Sequence, residues 1–248
     1  MVINTYNAAE HLAKVLESVK TFDEIVVCDM ESKDDTLRIA RMYGCRTVTF
    51  PKGNCNICEP ARNFAIQSAT HDWVFVVDAD EIVPQSLRDY LYDKIADNTF
   101  CDALAVPRIN RFMGETFKAK TDYQVRFFRK DAVNWPETIH SNPEIDGKII
   151  RLSAKEKYSL HHLDDPPVAK RLKKLNVYTY YDSEKRIGKR YGYFKVLVRP
   201  IWFFVRDFLL QRGFRHGKRG ILQAYFTSIY QIMLMAKIFE KQTADKDS

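Results

Sequence analysis

Cysteine is scarce and does not pair up: the 248 residues hold 5, an odd number. Cys28, Cys45 and Cys101 lie inside apolar runs, which suits a reducing compartment and excludes a disulfide framework. Cys55-x-x-Cys58 has a zinc-ligand spacing, but a structural site takes four ligands and no second Cys or His pair lies suitably placed. The amino end lacks a basic stretch followed by an apolar one, so no signal peptide is expected and the chain is read as cytoplasmic. Met1-Val2-Ile3 leaves little of a first strand, as though the chain began late. Apolar runs long enough to span a bilayer are also missing. Ile221 to Ala236 carries no charge, but Gln223, Thr227, Ser228 and Gln231 interrupt it and it falls short of the roughly 20 residues a span needs. There is no internal repeat at solenoid or propeller spacing and no recognised nucleic-acid-binding motif. Near the amino end there is no glycine-rich fingerprint to cradle a triphosphate, which counts against a nucleotidyltransferase.

Acid is in deficit, with 32 Asp and Glu against 39 Lys and Arg, a formal net charge of +7. Such a balance attracts polyanions without choosing among nucleic acid, phosphorylated substrates and acidic lipid. The acidic cluster from Asp78 to Glu81 would repel a nucleic-acid backbone, so no nucleic-acid partner is expected.

What is present is a globular pattern, 46% hydrophobic and 29% charged, enough for one full core and a modest appendage. Glu24 to Asp29 and Trp73 to Asp78 read as buried strands, and Thr36 to Tyr43 and Pro60 to Ala69 read as helices. The alternation is that of βαβ units, so the fold class is α/β with a mainly parallel, doubly wound sheet flanked by helices. A helix over Gln85 to Ile95 follows, then strands near Ala103 to Pro107 and at Val125 to Arg129. The proline-bounded stretch Asn134 to Pro143 reads as a loop able to carry an acceptor site.

Two predicted strands end on aspartate, Asp29 and Asp78, where ligands of such sheets bind. Asp29 is either a ligand contact or a cap, and Asp34 or Asp35 is a helix cap. Asp78-Ala79-Asp80-Glu81 brings hard oxygen ligands out together at a sheet edge, which suits Mg²⁺ or Mn²⁺ bridging to a diphosphate, although the same composition also makes a solvated turn. Tyr6 is able to stack on a base or to fill the core. Arg62, at a helix start, is able to reach phosphate or to form a surface ion pair.

Taken jointly, Asn4-Thr5-Tyr6-Asn7, Asp29 to Thr36, Ala61-Arg62-Asn63 and Asp78-Ala79-Asp80-Glu81 resemble, in order and spacing, the nucleotide-binding half of glycosyltransferase family 2. The resemblance continues through Gln124 to Arg129, Ile139-His140 and Gln211 to Gly220, in the manner of the bacterial branch containing lipopolysaccharide-core and envelope-glycan enzymes. It implies a GT-A fold and inverting transfer from a nucleotide-sugar donor to a glycan or lipid-linked acceptor. Within it, Tyr6 and Asp29 contact base and ribose, Asp78 contacts sugar or ribose, and Asp80 binds the metal. Thr5, Asn7, Ser32, Arg62, Ala79, Gln124 and Arg126 complete the nucleotide-sugar set. Arg129 falls on the opposite strand face from Arg126.

Inverting transfer needs a base near the anomeric carbon. Where related chains carry Glu directly after the loop histidine, this one has Ser141, which leaves Glu137, Glu144, Asp146 and His140. Glu137 is preferred, beside His140 in the proline-bounded loop.

Residues 1–165 are thus expected to form the catalytic domain, its nucleotide-sugar half over about 1–100 and its acceptor half over about 101–165. Residues 166–248 form a basic helical extension. Between Tyr191 and Arg219, aromatic and aliphatic residues stand beside arginines and lysines, a composition suited to an anionic membrane surface; the same helices also suit a lid over the catalytic domain or a homodimer face. A catalytically inactive scaffold is the remaining alternative to a transferase.

Overall fold

The computed structural model describes residues 1–53, 58–97, 102–137 and 142–244, without the side chains of 118–120. Strands β1 (Val2–Thr5), β2 (Val26–Asp29), β3 (Arg46–Thr49) and β4 (Trp73–Asp78) alternate with helices α1 (Ala9–Val19), α2 (Thr36–Met42) and α3 (Glu59–Ser68). β5 (Glu81–Ile82), α4 (Gln85–Ile95), β6 (Ala103–Phe112), β7 (Glu115–Arg129), β8 (Val133–Asn134), β9 (Glu144–Ile145), β10 (Ile149–Arg151) and β11 (Leu160–His162) follow. The last part holds α5 (Val168–Glu184), α6 (Tyr193–Val205) and α7 (Gly217–Ala244).

The main sheet runs β3-β2-β1-β4-β7-β6-β11-β5, with β10 added beside β6. β1 pairs in parallel with both β2 and β4, and β2 with β3. The chain therefore winds outward from β1 on one side and restarts at β4 on the other. This puts a switch in strand order between β1 and β4, at the carboxyl ends where α/β sheets bind ligands. The mainly parallel sheet flanked by helices is the expected α/β fold, and the basic helical extension follows it.

Alternation along the central strands explains the layering. Ile3, Val27, Phe75 and Val77 face one core cluster, which α1 closes with Leu12, Val15, Leu16 and Val19, an i, i+3, i+4, i+7 stripe. Val2, Val26, Cys28, Val74 and Val76 face the other, where α3 contributes Ala61, Ala65 and Ile66. Each such fully buried Leu, Ile or Val side chain contributes roughly 1.5–3 kcal/mol.

The strands expected at Ala103 to Pro107 and Val125 to Arg129 are longer than the sequence showed, because β6 and β7 continue to a tight turn. That turn places Met113 and Gly114 at φ 50° and 86°, the doubly left-handed geometry of a type I′ hairpin. The extension escapes a hydrophobic-period reading because Arg108, Asp122, Gln124 and Arg126 bond one another or nearby carboxylates inside the protein.

The chain divides into two compact units. One comprises Met1–Asn110 with Thr121–Asp164; the other comprises the hairpin tip Arg111–Lys120 with the chain from Asp165 onward. In the second unit α7 packs against α5 and α6. Arg199 Nε donates to Gln231 Oε1 at 2.8 Å, and Ser228 Oγ donates to the Pro200 carbonyl at 2.8 Å. Asp165 accepts the Met113 and Gly114 amides of the hairpin tip at 3.0 and 2.6 Å. Among the described residues no helix is long and apolar enough to cross a membrane.

Candidate active site

The loops after β1 and β2 are laced together. Thr5 Oγ1 donates to Asp29 Oδ1 at 2.8 Å, and Ser32 gives its amide to Asp29 Oδ2 at 2.8 Å and its hydroxyl to Oδ1 at 2.6 Å. Asp29 is fully buried, and its carboxylate organises the loop; it does not cap α2. The cap position is Asp35, whose side chain makes no capping hydrogen bond, while Asp34 just before it accepts the Thr36 amide at 3.0 Å. Asn7, at φ 48°, donates its amide to Ser32 Oγ and accepts the Lys33 amide on Oδ1 at 2.9 Å. Tyr6 is half exposed at the rim of these loops, with Lys52 Nζ 4.9 Å from its ring centre, and so takes no part in the core.

At the end of β4 the acids and arginines interlock. Arg62 Nη2 donates to Asp78 Oδ1 at 2.9 Å, and Arg126 donates to both Asp78 oxygens at 3.2 and 2.5 Å. Arg62 is therefore a buried ion-pair partner, not a surface one. Burial alone would raise the Asp78 pKa, but Arg126 and Arg62 outweigh it and hold the carboxyl far below the usual carboxylate range. Glu81, fully buried, accepts the Asp78 amide at 3.0 Å and meets Arg108 at 3.2 Å. Arg108 in turn grips Asp122, which Gln124 also contacts at 2.9 Å.

Asp80 alone of these acids is not held by an arginine. Its Oδ2 lies 3.2 Å from His162 Nε2 on β11, and its carbonyl accepts the Leu163 amide at 2.7 Å. Burial works against protonating His162, but the hydrogen bond and charge of Asp80 outweigh it and hold its pKa above the ordinary histidine value. No cluster of three or more His, Cys, Asp or Glu able to hold a metal occurs among the described residues. Asp80 nonetheless offers the hard carboxylate oxygen that Mg²⁺ or Mn²⁺ takes, with His162 beside it, and such an ion completes its shell with phosphate oxygens and water.

Beside Asp78, buried polar atoms stand without hydrogen-bond partners: both side-chain polar atoms of Asn4, Nε and Nη1 of Arg62, Nε of Arg126 and Nε1 of Trp135. Asn4 is in register with Asp78, and the Arg62 guanidinium lies 4.5 Å from the Trp135 ring centre. Trp135 is fixed there because its amide donates to Asn63 Oδ1 while Asn63 Nδ2 donates to its carbonyl, each at 2.8 Å. Buried polar groups are almost always satisfied, so this cluster at the strand switch marks the candidate site.

Of the residues singled out from the sequence, Thr5, Asn7, Asp29 and Ser32 share one bonded network, while Arg62, Asp78 and Arg126 share another. Gln124 joins the second through Asp122 and Arg108, and Ala79 sits between Asp78 and Asp80 on the connection to β5. Arg129 stays outside, exposed and paired with Asp131 at 2.9 Å. Glu137 is exposed, and no described contact joins it to either network; His140 and Ser141 lie outside the described residues. Arg108, Asp122 and His162 were not found from the sequence, and Asn4, quoted within the Asn4-Thr5-Tyr6-Asn7 motif, was given no role there. The one available signal for His162 was the pair His161-His162 on an acid-flanked strand.

The sequence profile of Glycosyl transferase family 2 matches residues 1–155. The chain is 26% identical to an uncharacterized glycosyltransferase of Rickettsia typhi over 96% of this chain and 85% of that one. It is 22% identical to the lipopolysaccharide core biosynthesis glycosyltransferase LpsC of Rhizobium meliloti, over 95% and 89%. Among solved structures, residues 1–349 of S. aureus TarS share the fold at a TM-score of 0.50 and 17% identity, covering 91% of this chain and 88% of that one. With a profile match over more than half its length and a GT-A-like sheet beneath it, the chain belongs to glycosyl transferase family 2.

Proposed function

We propose that the chain transfers a sugar, with inversion, from a nucleotide-sugar donor to a hydroxyl of a glycan or lipid-linked acceptor at the cytoplasmic face of a membrane. The observation that carries this reading is the cluster of unpartnered buried polar atoms around Asp78 at the β1/β4 switch, next to the open Asp80–His162 pair. Tyr6, with Thr5, Asn7, Asp29 and Ser32 shaping the loops beneath it, forms the wall for base and ribose. Asp78 holds Arg62 and Arg126 in place and presents its remaining edge to ribose or sugar, while Asn4 and the free nitrogens of Arg62 meet the donor's polar groups. Gln124 keeps Asp122 and Arg108 ordered behind them. A Mg²⁺ or Mn²⁺ ion at Asp80 and His162 would neutralise charge developing on the diphosphate leaving group. Burial alone would raise the Asp122 pKa, but Arg108 outweighs it and holds the carboxyl below the usual carboxylate range, which makes Asp122 a weak base and leaves Glu137, His140, Glu144 and Asp146 as the candidates for deprotonating the acceptor, Glu137 preferred.

Calorimetric titration with UDP-, GDP-, ADP- and CMP-sugars, with and without Mn²⁺, tests the site. One donor is expected to bind, tightened by Mn²⁺ at least about tenfold, and Asp80→Ala and His162→Ala should each abolish that tightening. Failure of every donor to bind would overturn the assignment.

A further inference from the structure

The second unit carries an apolar helix face that is exposed among the described residues. On α6, Phe194, Leu197 and Ile201 are 76%, 69% and 62% exposed, and with Val198 they follow the i, i+3, i+4, i+7 spacing that normally marks a buried stripe. Tyr193 is 95% exposed at the start of the same helix, and Trp202 is half exposed near its end. Exposed apolar residues follow in the π-helical turn Arg206–Leu210, at Leu209 and Leu210, and beyond it at Phe214.

Cations flank it along the chain. Residues 185–219 contain eleven Lys and Arg and one acid, Asp207. Among the described residues Lys189, Arg190, Lys195, Arg212, Arg215 and Lys218 are exposed and have no ion pair, whereas Arg199, Arg206 and Arg219 are tied to Gln231, Asp207 and Glu115. The glycines explain how three of the free cations are presented. A Cβ on Gly220 would meet the Gly213 carbonyl oxygen at 1.8 Å, and Gly217 sits at φ 53° and ψ −131°. Only glycine at these places lets the corner fold so tightly, leaving Arg212, Arg215 and Lys218 on its outside.

We infer that this face docks on an anionic lipid bilayer, with the α6 stripe entering the boundary between headgroups and acyl chains and the free cations meeting lipid phosphates. Exposed aromatic and aliphatic residues flanked by unpaired Lys and Arg are the composition such a surface selects. A second copy of the chain is a poor occupant, because a two-fold contact sets a patch against itself and would bring the six cations together. The inference gives physical form to the membrane-associated acceptor proposed above, and in that respect rests on that reading.

Flotation of the full chain with vesicles of phosphatidylcholine alone, or mixed with phosphatidylglycerol, tests it. The chain should float with the mixed vesicles, less with phosphatidylcholine, and less as salt is raised. Combining Phe194→Ser, Leu197→Ser and Ile201→Ser should weaken partition at least about tenfold. Arg212→Gln, Arg215→Gln and Lys218→Gln together should weaken it roughly a hundredfold on anionic vesicles. Both variants change exposed residues and should keep the wild-type circular dichroism spectrum. Absence of flotation, flotation unchanged in both variants, or a dimer that the serine variant dissolves would each overturn the inference. Calorimetry with the donor on the same samples keeps the two claims apart: donor binding without flotation defeats the docking surface alone, and flotation without donor binding defeats the transferase assignment alone.

Discussion

Asp78 stands between two arginines that have almost no access to water, so its removal strands buried positive charge. Breaking such a pair costs about 3–5 kcal/mol when both partners are fully buried. Asp78→Asn should fall at the lower end, since the Asp78 side chain keeps 27% of its exposure. The pH dependence follows from the sign of the shift. The folded-state pKa is depressed, so the contribution is complete above the unfolded value near 4 and is lost as pH falls toward the folded value. The stability gap between wild type and Asp78→Asn, measured by urea unfolding, should therefore narrow as pH falls below about 4. A gap independent of pH would show that the ion pairs are not its source. Asp29 and the acids from Asp78 to Glu81 were legible in the sequence because they follow buried strands directly, whereas Asp122, inside β7, was not. Arg62 and Arg126 were named as well, but their pairing with Asp78 was not legible: Arg126 is 48 residues from Asp78, and only the β4/β7 pairing brings the two together.

Among the elements, the corner between α6 and α7 depends most on residue size. The run Gln211 to Gly220 was recognisable as a motif, but its three glycines gained a physical reason only from the backbone approach of Gly220 to Gly213 and the φ of Gly217. Gly220→Ala should cost at least about 1–3 kcal/mol, the usual range for overpacking, read as a lowered thermal midpoint. Gly188→Ala is the matched control: its added Cβ meets nothing within 4 Å, and its midpoint should stay near wild type. Equal midpoints for the two variants would contradict the close approach. The β6/β7 hairpin makes the opposite point about legibility. Its ends were readable from apolar runs, whereas its middle was hidden by charged residues that neutralise one another on the protected side of the strands.

For the molecule as a whole, the alternation of apolar strands and amphipathic helices was enough to identify a mainly parallel α/β sheet, because parallel strands covered on both faces leave unbroken apolar runs. The allotment of the hairpin tip Arg111–Lys120 to the helical unit was not readable, since it depends on long-range contacts such as Arg219 Nε to the Met113 carbonyl at 2.9 Å. The basic stretch between Tyr191 and Arg219 was already readable as suited to an anionic surface, but which of its cations are exposed and free of ion pairs was not. The central claim, that the β1/β4 switch and the Asp80–His162 pair together form a metal-assisted donor site, is tested most directly by turnover. Release of the nucleotide (UDP, GDP, ADP or CMP) from the same four classes of sugar nucleotide would be measured across a Mn²⁺ titration, with wild type beside Asp80→Ala and His162→Ala. The account predicts one donor turned over in a Mn²⁺-dependent manner, with kcat reduced about 10²–10³-fold in each variant. Turnover at wild-type rates in both variants, or turnover indifferent to Mn²⁺, would contradict it.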